Sequence, residues 1–134
     1  MYLVDTNIFL EVLLSRARKE ECKMFLGFLR DGKKRGIVTD FSVHSIIVVM
    51  NGLGRLKELR TFLLSLLGYR GLYVYPTSIS EEVKAVDLAA ECGLDMDDAI
   101  QYSSALSVKT DAIISFDRHF DGLEIPRIEP TDAA

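Results

Sequence analysis

Three aspartates stand where the chain passes from one element to the next, and their placement is what could support chemistry. Asp5 follows the apolar run Tyr2-Leu-Val4, Asp98 lies in the first turn of a later helical stretch, and Asp117 follows Ile113-Ile-Ser-Phe116. Open α/β sheets gather ligands outside the carboxyl ends of their strands. Right-handed crossovers bring those ends to one edge. Asp5 and Asp117 are therefore expected to share an edge, with the N-terminus of the Asp98 helix aimed at it. Carboxylates that close repel one another and raise each other's pKa values unless a cation sits among them. An all-oxygen set suits Mg²⁺ or Mn²⁺, which assist attack of water on a phosphodiester. Each aspartate also has a plain structural role. Asp5, with Thr6 and Asn7, suits a turn or an N-cap, Asp98 complements a helix N-terminus, and Asp117 suits the start of the turn Asp117-Arg-His-Phe120. The joint placement favours the cation.

The elements that must position these groups alternate. Tyr2 to Val4 reads as a buried strand, Ile8 to Ser15 as a helix, and Arg16 to Arg30 as a second helix with Cys22, Phe25, Leu26 and Leu29 on one face. Asp31-Gly32-Lys33 stops it. Gly36 to Thr39 is a second strand. For Phe41 to Met50 the periodicity is silent, since Ile46-Ile-Val-Val49 suits a strand or a buried helix. Arg55 to Leu67 is helical, Gly71 to Tyr75 is a strand stopped by Pro76, and Ser80 with Glu81 and Glu82 opens another helix that runs to Gly93. Asp95 is the N-cap of a helix from Met96 to Val108. Ala112 to Ser115 is a fourth strand, Ile125 to Ile128 a fifth, and the tail after Pro130 is expected to fray. Short connections between alternating strands and helices indicate a mostly parallel sheet of four or five strands, covered on both faces. One α/β domain, residues 1–134, accounts for the whole chain.

At 134 residues and a formal net charge of −4 the chain is long enough for one sizeable core. Residues 1–70 carry a net +5 and residues 71–134 a net −9. A basic surface for a polyanion beside an acidic site for a cation would produce this split. The clusters Arg16, Arg18, Lys19 and Lys33, Lys34, Arg35 are the candidate contacts for such a polyanion, the alternative being charges that only decorate solvated helix faces. Cys22 and Cys92 read as small buried residues rather than a redox pair. No basic leader precedes the first apolar run, and the uncharged stretch 41–54, broken only by His44, is too short to cross a bilayer. A cytoplasmic protein without a membrane partner is expected.

With these residues in view the chain resembles the PIN-domain proteins, and among them the VapC-type toxins of toxin–antitoxin pairs. The likeness rests on Val4-Asp5-Thr6-Asn7 after the first strand, on Leu94-Asp-Met-Asp-Asp98-Ala-Ile-Gln-Tyr-Ser-Ser-Ala105, and on Ser115-Phe-Asp117-Arg-His-Phe120, which resembles a late Thr-x-Asp-x-x-Phe motif. It implies a three-layer α/β/α sandwich of RNase H-like type and an endoribonuclease that depends on Mg²⁺ or Mn²⁺. Asp5, Asp98 and Asp117 would hold the metal, Thr6 and Asn7 would orient Asp5, and Asp95 or Asp97 would lie close by. The nucleophile would be a metal-activated water, the partners an RNA substrate and a cognate antitoxin, and the assembly a homodimer.

The family usually places a Glu in the helix after the second strand, and here that position falls near His44 or Ser45. Asp40, just upstream, either reaches the metal or caps the helix, and capping is the expectation. His44 is expected to be a core histidine, Phe120 core, and His119 exposed. Leu63, Leu64, Leu66 and Leu67 serve either burial or self-association. Without the Glu a second reading stands: a catalytically degenerate PIN-like module that binds RNA or a protein. A third takes Asp5 as the nucleophile of a haloacid-dehalogenase-like phosphatase assisted by Lys109 or Ser115, although Asn7 stands where that family has its second Asp.

Overall fold

In the computed structural model, which describes residues 1–133, five strands form one parallel sheet in the order β3-β2-β1-β4-β5. They are β1 (Tyr2–Val4), β2 (Gly36–Thr39), β3 (Leu72–Tyr75), β4 (Ala112–Ile114) and β5 (Arg127–Ile128). The helices are α1 (Thr6–Leu13), α2 (Lys19–Arg30), α3 (Asp40–Gly52), α4 (Leu56–Leu66), α5 (Ile79–Cys92) and α6 (Met96–Val108). The ambiguous apolar segment after β2 is thus helical.

Alternation along each strand divides the core into two layers. Val4, Val38 and Ile114 point to a layer built with Ile8, Phe9, Phe25, Ile46 and Phe62. Their chain neighbours Leu3, Ile37 and Ile113 point to the opposite layer, with Ala85, Ala99, Tyr102 and Phe120. A parallel sheet covered on both faces needs apolar residues in both phases, and these short strands supply them.

Several boundaries and environments differ from the expectation for local reasons. Helix α1 begins at Thr6 because Asp5 is extended (φ −65°, ψ 145°) and takes the N-cap position. Ser15 sits at φ 50°, and α2 starts only at Lys19. Helix α5 is opened by Ser78, not Ser80: Ser78 Oγ accepts the Glu81 N–H while the Glu81 carboxylate accepts the Ser78 N–H, a reciprocal capping box. Cys22 is buried as expected, but Cys92, in the last turn of α5, is exposed. The tail does not fray within the described residues. Pro130–Ala133 forms a 3-10 turn, with Pro130 and Ala133 buried and the turn packed on α2.

The loop into β3 passes so close to its neighbour that a side chain has no room. A Cβ on Gly71 would stand 2.0 Å from the Lys34 carbonyl oxygen and 2.9 Å from that of Leu29. Gly71 N–H donates to Leu29 O at 2.8 Å, and Gly36 N–H donates to Gly71 O at 2.7 Å, so the backbone has no slack to move. Gly71→Ala is expected to lower the unfolding free energy by at least about 2 kcal/mol in urea titration; an unchanged midpoint would contradict this packing.

Candidate metal centre

The sheet order reverses between β1 and β4, the switch point at which open α/β sheets form a crevice. Val4 pairs with Ile114, so Asp5 and Ser115 leave the sheet side by side. Asp5 N–H donates to Ile114 O at 3.1 Å. Ser115 Oγ donates to Asp5 Oδ2 at 2.7 Å and accepts the Asp117 N–H at 2.9 Å. One serine therefore couples two of the expected aspartates. Although Asp5 stands at the N-cap of α1, its carboxylate makes no cap bond. It is 2% exposed and held by Ser115 instead.

The third aspartate arrives on α6. Asp95 is the N-cap, as the sequence indicated, and its Oδ1 accepts the Asp98 N–H at 3.1 Å. Every residue from Asp98 to Ala105 is buried. Small side chains at Ala99, Ser103, Ser104 and Ala105 let the helix lie close to its neighbours, and Ser103 Oγ donates to Glu81 O of α5. Ligand atoms of Asp98, Asp117 and His119 lie within 4.8 Å of one another. His119 is exposed, as expected, but it is not idle: its Nδ1 lies 2.7 Å from Asp117 Oδ1, which also accepts the His119 N–H at 2.9 Å. Asp117 thus caps the 3-10 turn Arg118–Phe120 and belongs to the cluster as well. Asp97 and Asp95 are exposed at the rim, and Phe120 is core.

The other expected residues divide by edge. Thr6 Oγ1 donates to Ser42 Oγ at 2.7 Å, and Thr39 Oγ1 donates to the same oxygen at 3.1 Å, so the start of α3 meets the Asp5 turn through neutral hydroxyls. Asn7 is exposed. His44 is exposed, contrary to the core position expected of it, because α3 turns that side to solvent. Asp40 is not the N-cap of α3. Thr39 is, accepting the Ser42 N–H, while Asp40 Oδ1 accepts the N–H and Oγ1–H of Thr77 and ties β2 to the loop after β3. Of the basic cluster Arg16, Arg18, Lys19, Arg18 lies 3.8 Å above the centre of the Phe116 ring, the residue before Asp117, and pairs with Glu21 and Glu129. Lys33, Lys34 and Arg35 precede β2 and lie at the opposite edge, where Arg35 donates to Tyr73 Oη. Lys109 precedes β4 at that same far edge, away from Asp5. Two contributors escaped the sequence reading, Ser42 and Gln101. Gln101 is 1% exposed and its Oε1 accepts the Thr6 N–H at 3.4 Å. A long polar residue among Ala99, Ile100, Ser103 and Ser104, three positions beyond Asp98, was its available signal.

Burial pushes the Asp5 carboxyl up, against the Ser115 bond and the nearby Gln101 amide, with the charges of Asp97 and Asp117 adding to the rise. Asp98 is pushed up to about 8 by burial and then by the charges of Asp117, Asp95 and Asp5. For Asp117 burial also opposes the charge, but the backbone and ring of His119 outweigh it and hold this carboxyl below its ordinary range. Among the described residues no Lys or Arg bonds to Asp5, Asp98 or Asp117. A buried set of oxygens with its charge this poorly balanced fits a divalent cation.

In the absence of metal the raised Asp98 pKa makes folding take up a proton between about pH 4 and pH 8. Stability is therefore greatest at the acid end of that window and falls as pH rises through it, since the ionised form is the one the fold penalises. The thermal midpoint in EDTA is expected to fall by at least about 5 °C between pH 5 and pH 8, and Asp98→Asn should flatten the slope. An equally steep slope in Asp98→Asn would remove Asp98 as its source.

The PIN domain profile matches residues 2–125. No curated protein sequence matches the chain. Among solved structures, a toxin–antitoxin complex from Klebsiella pneumoniae is 19% identical, covering 97% of this chain and 98% of its own, with a TM-score of 0.73. VapC20 of Mycobacterium tuberculosis, described as a sarcin–ricin loop cleaving toxin, is 13% identical over 97% and 100%, with a TM-score of 0.78. VapBC2 of Rickettsia felis, bound to a DNA fragment from its promoter, is 12% identical over 96% and 97%, with a TM-score of 0.69. These likenesses carry the fold, and the profile, spanning nearly the whole sequence, carries the family: the chain belongs to the PIN domain family.

Proposed function

We propose that this chain is a divalent-metal-dependent endoribonuclease, the toxin of a toxin–antitoxin pair. The observation that carries this reading is the carboxylate cluster at the β1/β4 switch, where Asp98 and Asp117 offer ligand atoms within 4.8 Å of each other and of His119. Asp5 stands close enough to raise Asp98. Asp5, Asp98 and Asp117 would hold Mg²⁺ or Mn²⁺, and when bound the ion would supply an activated water and charge neutralisation at the phosphate. With the ion bound, Asp98 would ligate it as the ionised carboxylate, which burial alone disfavours. Ser115 fixes one Asp5 oxygen and the Asp117 backbone together, so the two carboxylates keep a set separation. His119 holds Asp117 ionised. Arg16 and Lys19, close to Arg18 in the chain, would meet the phosphate backbone of RNA, and Arg18 would join them on release from Glu21 and Glu129.

An open apolar cleft of about 630 Å³ between α1, α2 and α4, lined by Phe9, Leu13, Leu26, Phe62 and Tyr69, offers an antitoxin an anchor. Leu56 and Leu64 on α4, Leu67 at its C-cap, Val48 on α3 and Leu53 after it are exposed and support a homodimer. The single-domain reading accommodates all of this in one unit, in the cytoplasm.

One observation favours a second reading, a degenerate module that binds RNA or a protein without cutting. Helix α3 brings hydroxyls, not a carboxylate, to the Asp5 turn. The purified protein should cleave RNA with Mn²⁺ or Mg²⁺ and stop with EDTA, and Asp5→Asn and Asp98→Asn should each lower the rate at least about 100-fold. Binding of RNA with no metal-dependent cleavage would favour the second reading, and equal cleavage by both variants would assign the activity to another source.

A further inference from the structure

Gln101 is the one long polar side chain within the buried run of α6, and it is not one of the groups that would hold the ion. It lies four residues beyond Asp97 and three beyond Asp98, spacings that put all three side chains on neighbouring positions of the helix surface. Its Oε1 accepts the Thr6 N–H, directly after Asp5. Its Nε2 has no hydrogen-bond partner. A donor 99% buried and left unpaired is rare in folded proteins and needs an explanation. Its place supplies one: the Oε1 bond to Thr6 holds this amide against the Asp5 turn, and Asp97 lies one helical turn before it. One Asp5 oxygen is already taken by Ser115.

We propose that Gln101 is the positioning residue of Asp5, with Oε1 fixing the Asp5–Thr6 turn and Nε2–H serving as the neutral donor that steadies the Asp5 and Asp97 carboxylates when a divalent cation is bound. The choice of an amide has a physical reason. A Lys or Arg at this depth would neutralise Asp5 itself and compete with the ion, whereas an amide donates hydrogen bonds without contributing charge. Gln101 thus acts through Asp5 and touches no reacting atom. This inference rests on the metal-site reading above.

The test is calorimetric titration of the full chain with MnCl₂, alongside thermal midpoints in EDTA. Gln101→Met, close in volume but without donor or acceptor, is expected to weaken Mn²⁺ binding about tenfold. Gln101→His, which retains a ring N–H and an acceptor nitrogen, is expected to stay within about threefold of the parent. If Gln101→Met does not fold, Gln101→Asn, one methylene too short to reach both groups, carries the same expectation. Parental Mn²⁺ affinity in the Met or Asn variant, with only the EDTA midpoint lowered, would make Gln101 a core residue and overturn the proposal, as would failure of His to rescue. Asp5→Asn and Asp98→Asn serve as controls. If they too bind Mn²⁺ as the parent does, or the parent does not bind it, the metal-site reading itself fails; if they lose binding while Gln101→Met retains it, only the role of Gln101 does.

Discussion

Carboxylates taken out of water need compensation, and in this chain Asp5 and Asp98 are 2% and 8% exposed with little of it. The bond that Asp5 receives comes from a neutral group, the Ser115 hydroxyl. The resulting repulsion and desolvation are what raise both carboxyls. A fold selected for stability alone would place a guanidinium there or an apolar residue instead. Arg18 pairs with Glu21 and Glu129, Arg127 pairs with Asp121 and Glu129, and Arg118, the residue after Asp117, is exposed to solvent. The deficit is one that a divalent cation can fill.

Every element that approaches the site helps to impose this arrangement. The pairing of β1 with β4 sets Asp5 beside Ser115, and a shift of one residue would turn each toward the wrong face. The Asp95 cap fixes where α6 begins and so where Asp98 lies. The small residues that follow allow the helix to approach, and Ser103 fastens it to α5. On the other flank the hydroxyls of Thr6, Ser42 and Thr39 fasten the Asp5 turn to α3. Site and core are therefore coupled: the side chains that hold the carboxylates also join the two faces of the sheet.

Much of this was legible in the chain because it depends on local chemistry. An apolar run followed by Asp predicted the β1 end, and Asp95 followed by Asp98 predicted the α6 start, since capping acts over three residues. The alternation of strands and helices predicted the parallel sheet. What escaped depends on where a helix face turns in space. Helix α3 is apolar nearly all round, and nothing in its sequence distinguishes the side carrying exposed His44 and Val48 from the side burying Ile46. The exposure of Cys92 and the burial of the tail turn are likewise hidden in the sequence, since each depends on a distant partner or its lack. Ser78 differs from these. Its spacing to Glu81 fits a capping box whereas Ser80 has Val83 at that place, so the signal was present. Gln101 was obscured by its neighbours, because a small-residue helix reads as packing until the topology carries it beneath Asp5.

The most direct test of the central claim, that these carboxylates form a cation site, is anomalous diffraction from a crystal soaked in MnCl₂. A Mn²⁺ peak bonded by Asp98 and Asp117, with Asp5 turned toward it and Ser115 still on the remaining Asp5 oxygen, is the expected result. Full Mn²⁺ saturation of the crystal with no peak at the β1/β4 switch, or with peaks only on surface carboxylates, would contradict it.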